Sequence, residues 1–551
     1  GADMINEHQP SQIQHLAQAI LLIIGLSALV AIGLFHTLPP KPLPLSSPLT
    51  AFSSARAMPH VRQIGSKPHP TGSPENAEVR QYLMDKLKVL GFTPEIQSAD
   101  VVNPKTKQAV QVHNVLVKIS GTRSSKAVLL SAHYDSVATG SGAADDGASV
   151  AAILETLRAI KTQPPLQNDL ICLFTDSEES GLLGAQAFVE QHPWAKAVGM
   201  ALNFEYRGNS GAFMMFETSD DNSLLIAGLA ESVAFVMSNS LMYEVYKRLP
   251  NDTDFSVFKR AGIPGMNFAA IEGHAAYHTQ LDRPEFLNQG TLQHEGNIML
   301  GLVKHFGNQA IANLKAENRV YFDFPGLGLV HYPMSWTIPL CVLLAIGFIA
   351  LCATCHKANS MRIKQTLIAL CAYLLMVCGL YFIDSWLWTA LRSVHPSYPT
   401  FAYDDTSTSY GYLLGFILIN TAITVVFYVI SKKWLKSMEI SLGLSAIWLF
   451  LALFTLNNGA NFLFTWPLFA LLLSLLFVRL PSIKHHSGFN RLILLAGSAP
   501  GLLIFTPLIK NLFVGLTPSN MVVILLFVNL LLGLLFPVLV VISSNKKGFI
   551  L

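Results

Sequence analysis

The sequence predicts two architectures in one chain: an α/β domain with helices on both faces of a largely parallel sheet, and an all-α multi-span transmembrane domain. Three observations predict this. Residues 37–325 alternate short apolar runs with amphipathic stretches, the order that builds strand–helix–strand units. Residues 334–543 consist mostly of apolar runs of roughly 17–25 residues, the length that crosses a bilayer. Charged residues make up 13% of the 551 and hydrophobic ones 51%, against about 25% charged in average soluble proteins. That deficit lies almost wholly in the second region.

The elements follow in order. Gly1-Ala2-Asp3 ahead of Met4 reads as an expression remnant in a tail over 1–15, and is set aside. Leu16–Phe35 is longer than a signal-peptide core, has no basic leader and no clear cleavage site, so an uncleaved anchor is expected over 16–35. HTLPPKPLPLSSP opens a Pro-rich linker over 36–52, expected to be an extended tether. A soluble domain over 53–325 follows. SPENAEVRQYLMDKLKVLG (73–91) carries a Ser cap, Pro at the first helical position, an amphipathic pattern and a closing Gly. AVLLSAH (127–133), DLICLFT (169–175), GMALNFE (199–205) and IPGMNFA (263–269) read as strands. GASVAAILETLRAI (147–160) and SGLLGAQAFVEQ (180–191) read as helices.

The region 334–551 offers seven further spans, at about 335–354, 365–387, 411–430, 440–456, 461–478, 492–508 and 520–543. Alternate loops collect Lys357, Arg362 and Lys364, then Lys432, Lys433 and Lys436, then Arg479, Lys484 and Arg491, then Lys546 and Lys547. The opposite loops hold Arg392 and Lys510. The positive-inside rule then places the C-terminus in the cytoplasm and residues 37–333 on the extracytoplasmic side, periplasmic in a bacterium or lumenal in a eukaryote. Asp384, Asn420 and Asn529 are polar groups in or near spans. With no inverted repeat or charged relay, an anchor or docking platform is favoured over a transporter. A net charge of +3 points to no nucleic-acid partner. The six cysteines show no disulfide framework. CATCH (352–356) fits a haem attachment pattern, but on the wrong side of the membrane for it.

The chemistry-bearing side chains stand at strand ends. His133 and Asp135 follow AVLLSA; Asp145 and Asp146 precede a helix; Asp176, Glu178 and Glu179 follow ICLFT. Glu205 follows MALNF, and His278 sits in AAYHTQLD. Each alone has a plain reading as a cap, a solvated loop acid or a core histidine. Together they sit where α/β folds place chemistry. Carboxylates packed this densely repel unless a cation joins them. Mixed imidazole and carboxylate donors suit zinc best, with cobalt or manganese open.

The series HYDSV, GAADDGAS, DSEESGLLGA, NFEYRGNSG, NDTDFSVF and YHTQLD resembles the motifs of the M28 zinc peptidases over most of residues 60–305. With its flanking spans the chain resembles the membrane-bound branch of that family. The resemblance implies a zinc-peptidase-type mixed, mostly parallel sheet and a centre of two Zn2+ per chain. His133 and Glu205 would hold one zinc, Glu179 and His278 the other, and Asp145 would bridge them. Glu178 would be the general base, and Asp135 would orient His133, with Asp254 and Asp282 as further supporting acids. Many members carry Asp where Glu205 stands; the membrane-bound branch carries Glu. Tyr206 stands where a small residue is expected, which leaves the adjacent pocket open. The implied function is a membrane-bound zinc metallopeptidase acting on peptides, an aminopeptidase by preference, with the lipid bilayer as its other partner. The alternatives are a glutaminyl-cyclase-like single-zinc enzyme and a non-catalytic binding ectodomain. Arg207, Tyr246 and Arg248 lie near motif segments and serve either substrate contact or ordinary surface roles.

Overall fold

The computed structural model describes residues 12–123, 126–395, 406–484 and 486–543. The chain divides into two units, one built on Thr37–Met334 and the other on the N-terminal helix and the helices beyond Ser335.

The first unit is organised by a seven-stranded sheet. Its strands are β1 (Glu95–Val102), β2 (Ala109–Ile119), β3 (Ala127–His133), β4 (Leu170–Thr175), β5 (Val198–Tyr206), β6 (Ser210–Thr218) and β7 (Gly265–Glu272), in the spatial order β1-β2-β4-β3-β5-β7-β6. The pairs β4–β3, β3–β5 and β5–β7 are parallel. The flanking pairs β1–β2, β2–β4 and β6–β7 are antiparallel. The sheet is therefore mixed, with its parallel run confined to four central strands. The cause is connection length: β1–β2 and β5–β6 are joined by a few residues, too short for the crossover that parallel neighbours need. Strands β3 and β4 are buried at every position, which is why they read as continuous apolar runs.

Helices cover both faces. Ser54–Ile64, Ser149–Ile160 and Gln289–Phe306 pack over Leu130, Ile153, Phe204 and Leu302 on one side. Leu183–Gln191 and Asp254–Arg260 pack over Leu129, Ile171, Phe188 and Phe255 on the other. Each such large apolar side chain contributes about 1.5–3 kcal/mol on full burial. Helix Pro74–Val89 begins as its sequence suggests, with the Ser73 side chain accepting from the Asn76 N–H. A hairpin of β8 (Arg319–Phe324) and β9 (Gly328–Pro333) closes the unit.

The Pro-rich segment is not an extended tether. Residues 43–51 are strapped onto the α/β unit by donors reaching out from it. Arg158 donates to the Leu49 and Ala51 carbonyls at 2.9 and 3.0 Å, and Arg56 donates to Pro48 at 3.3 Å. The Gln293 amide oxygen accepts from Leu43 N–H at 3.1 Å. Prolines leave a chain rich in carbonyls and poor in donors, and guanidinium groups answer that imbalance. Arg158 is itself held by buried Glu155 at 2.6 Å.

In the second unit, seven helices among the described residues are long and apolar enough to cross a membrane: Gln12–Phe35, Met334–Lys357, Ile363–Val394, Ser409–Ser431, Ser437–Phe454, Gly459–Phe477 and Gly488–Leu516. The pair Pro518–Leu534 and Phe536–Ile542, bent by 64°, makes an eighth if counted as one span. Fully buried Glu439 is paired with Arg362 at 2.8 Å. The tail remnant and Lys546–Lys547 lie outside the described residues.

Candidate metal centre

The four parallel strands end at one rim, and the expected side chains stand there. His133 is the last residue of β3, and Glu178 and Glu179 follow β4. Glu205 is the penultimate residue of β5, and His278 lies in the loop after β7. Asp145 sits at the kink in Ala143–Ala148, with non-helical backbone, just before helix Ser149–Ile160. Ser177 and His278 both hold positive φ, at 59° and 60°. Such strained backbone in non-glycine residues gathers at functional sites.

Asp145 lies between the two imidazoles. Its Oδ1 is 3.1 Å from His133 Nε2 and its Oδ2 is 3.1 Å from His278 Nε2. His133 Nε2 also faces Glu205 Oε2 at 3.3 Å and Glu178 Oε2 at 3.5 Å. His278 Nε2 faces the two Glu179 oxygens at 3.1 and 3.2 Å. The donor atoms thus form the triads His133–Asp145–Glu205 and Asp145–Glu179–His278, each within 4.8 Å and sharing Asp145. Glu178 forms a further group with His133 and Glu179.

A second layer of residues holds these groups. His133 Nδ1 lies 3.0 Å from the Asp135 carbonyl and 3.3 Å from its carboxylate, which turns Nε2 toward the acids. The Asp135 carboxylate also accepts from the Glu178 and Glu179 N–H groups at 3.1 and 3.2 Å. One side chain therefore positions three residues of the cluster. Asp282 accepts from the Ala144 and Asp145 N–H groups at 2.7 and 3.2 Å, fixing the turn that presents Asp145. Asp146 accepts from the His133 N–H at 3.1 Å. Asp254 accepts from the Thr175 hydroxyl at 2.5 Å, and Asn203 donates to Glu205 at 3.1 Å.

The electrostatics fit a site built for cations. Burial pushes Glu178 well above the usual carboxylate range, and burial beside Asp145 pushes Glu179 up to about 8. Asp254 is raised to about 7 by burial and the nearby Glu205. Burial also acts upward on Asp145, but hydrogen bonds from His133 and His278 outweigh it and hold the acid low. His133 is disfavoured as a cation by burial, yet Glu178 and Glu205 raise it well above its ordinary value. Two imidazoles and three carboxylates gathered this closely match the chemistry of divalent zinc.

The remaining sequence candidates separate. Tyr206 is engaged elsewhere: its hydroxyl donates to buried Glu295 at 2.9 Å, and Ser149 donates to the same carboxylate at 2.6 Å. Arg248 is engaged by Glu244 at 3.2 Å on the surface. Tyr246 stacks edge-on against Phe216. Arg207 lies 5.6 Å over the Tyr277 ring. Tyr277 stacks on His278, with ring centroids 3.7 Å apart. It lines a cleft of about 620 Å³ together with Glu178, Glu179, Leu182, Asp252 and Arg260. The signal for Tyr277 in the sequence is its place next to His278 in YHTQLD. Glu295 carried no signal, being one acid inside an amphipathic helix.

Residues 114–303 match Peptidase family M28. The chain is 29% identical over 372 residues to endoplasmic reticulum metallopeptidase 1 of Mus musculus, covering 62% of this chain and 41% of that protein. It is 31% identical over 311 residues to the vacuolar membrane protease of Eremothecium gossypii, covering 51% of this chain and 30% of that protein. The chain thus spans less than half the length of these relatives. A solved glutaminyl cyclase of Porphyromonas gingivalis is 22% identical, with a TM-score of 0.38, over 46% of this chain and 98% of its own. The α/β unit of this chain is a peptidase M28 domain.

Proposed function

We propose that this chain is a membrane-bound zinc metallopeptidase that removes N-terminal residues from peptides. The observation that carries the reading is Asp145, whose two oxygens each stand 3.1 Å from a different imidazole. A carboxylate so shared would serve two metal positions at once. His133 and Glu205 complete one metal position, Glu179 and His278 the other. Bound there, zinc supplies a Lewis acid for the scissile carbonyl and acidifies a water toward neutrality. Glu178 stands beside this set with its own oxygen farther from His133 than those of Asp145 and Glu205. It takes the proton from the attacking water and delivers it to the departing amine nitrogen. Asp135 keeps His133 and the Glu178–Glu179 backbone in register. The cleft continues past Glu178 and Glu179 to Asp252 and Glu190, with Lys105 and Arg260 also in its lining. Four acids against two bases leave the lining net negative, which favours a substrate with a free α-ammonium group. Charge order in the loops favours an extracytoplasmic peptidase unit, with the C-terminus in the cytoplasm.

The test is metal content together with substrate choice. Mass spectrometry of the purified chain should find two zinc ions, and aminoacyl fluorogenic substrates should be cleaved while N-blocked peptides are not. One zinc per chain with cyclisation of N-terminal glutamine would make it a cyclase. Tight peptide binding without turnover would make it a binding ectodomain.

A further inference from the structure

We propose that Glu217 is a positioning residue for Glu205, two strands away, and acts on it through two buried amides. The inference rests on the metal positions proposed above, since Glu205 is one of their ligands. Three side chains stand in one row across neighbouring strands. Asn203 of β5 is opposite Asn267 of β7, and Asn267 is opposite Glu217 of β6. Both asparagines are fully buried and Glu217 nearly so. Glu205 follows Asn203 by two residues on β5, which puts both on one face of the sheet.

The hydrogen bonds in this row run one way. Lys259, from helix Asp254–Arg260, donates to Glu217 Oε2 at 3.1 Å. Asn267 Nδ2 donates to Glu217 Oε1 at 3.0 Å and to the Thr253 hydroxyl oxygen at 2.9 Å. That turns Asn267 Oδ1 toward Asn203, whose Nδ2 donates to it at 3.0 Å. The second hydrogen on the same Nδ2 goes to Glu205 Oε1 at 3.1 Å. The two oxygens of Glu205 are thereby divided: Oε1 takes the amide, and Oε2 faces His133 Nε2 at 3.3 Å.

An amide has one donating and one accepting end, so the choice made at Glu217 fixes the choice at each amide after it. Burial pushes Glu217 above the usual carboxylate range, and the Asn267 and Lys259 donors act against it. Both its oxygens receive donors, the pattern of the ionised acid. A carboxylate that only accepts can take Asn267 Nδ2 and not Oδ1. Among the described residues Asn203 Oδ1 receives no donor, so its two acceptors alone orient that amide. A row that only stabilised the sheet would have no need to end on the acid of the metal centre. In Glu217→Gln the new amide turns its oxygen to the Lys259 ammonium and its NH2 to Asn267. Asn267 and then Asn203 must turn over, and Glu205 meets an amide oxygen where it had a donor.

The experiment is zinc affinity by chelator competition on the full-length protein in lipid nanodiscs, beside thermal melting of the metal-free form. Glu217→Gln and Asn203→Ala should each weaken zinc about tenfold. The double variant should bind no more weakly than Asn203→Ala alone, because the route from Glu217 is then already cut. A purely structural role would lower the metal-free midpoint and leave the two losses additive. Zinc held by Glu217→Gln within about twofold of the wild type overturns the proposal, and so do additive losses. Should Glu217→Gln not fold, Asn267→Ala removes the middle amide and carries the same test: wild-type zinc affinity there overturns the proposal. A wild type that holds no zinc would instead overturn the metal centre, and this role with it.

Discussion

Replacing Glu178 by Gln separates the roles assigned around the metal centre. The side chains have the same shape, and the Glu178 N–H bond to Asp135 belongs to the backbone and survives. Glu178 Oε2 is 3.5 Å from His133 Nε2, while Asp145 and Glu205 approach it at 3.1 and 3.3 Å. Gln therefore removes a proton acceptor and leaves the bridging set intact. It also takes one negative charge from a pocket where burial and Glu205 already raise Glu178, so folding should not suffer. Loss of a positioned general base costs about 10²- to 10⁴-fold in rate. At about 1.36 kcal/mol per decade that is about 2.7–5.4 kcal/mol of barrier. The assay is kcat and KM on an aminoacyl fluorogenic substrate, run beside zinc content by mass spectrometry. The expected result is a fall confined to kcat with zinc undiminished. A rate within tenfold of wild type at full zinc would refute the general-base role. Loss of zinc alongside the rate would make Glu178 a ligand instead.

Asp145→Ala should drop zinc below two per chain and take turnover to background, checked by mass spectrometry and circular dichroism of the same sample. Asp282→Asn presents an amide to two N–H donors that now share a carboxylate; zinc affinity should weaken about 10- to 100-fold, read by chelator competition. Glu295 is raised to about 8 by burial, above its ordinary 4.5. Its folded form holds a proton that the unfolded form releases, so its stabilisation is complete below about pH 4.5 and lost as pH rises through about 8. The wild-type thermal midpoint should accordingly fall between pH 5 and 8 more steeply than that of Glu295→Gln, and equal slopes would contradict it. Arg158→Ala frees the Leu49 and Ala51 carbonyls; limited proteolysis should then cut residues 43–51 faster than in the wild type.

The sequence by itself determined the two architectures and picked out the acidic and imidazole side chains that the fold brings to one rim. Strands β3 and β4 are buried on both faces, so their composition announces them, and the helix after Ser73 carries its own cap and stop. Side chains at the ends of such strands must meet at one rim when the strands are parallel neighbours. That is why His133, Glu178, Glu179 and Glu205 could be gathered without coordinates. Strands β1, β2 and β6 escaped, because β1 is a half-exposed margin and because β2 and β6 meet β4 and β7 across long intervening segments, which no local pattern announces. Only the tertiary structure decided the rest. The strap depends on Arg158 reaching carbonyls 107 and 109 residues away. The Tyr206–Glu295–Ser149 link joins three elements that no local pattern connects. The shared position of Asp145 depends on where a loop after β7 brings His278. Local sequence encodes burial and caps through neighbouring residues. Which distant groups meet is set by how the sheet orders its strands, a property of the folded chain alone.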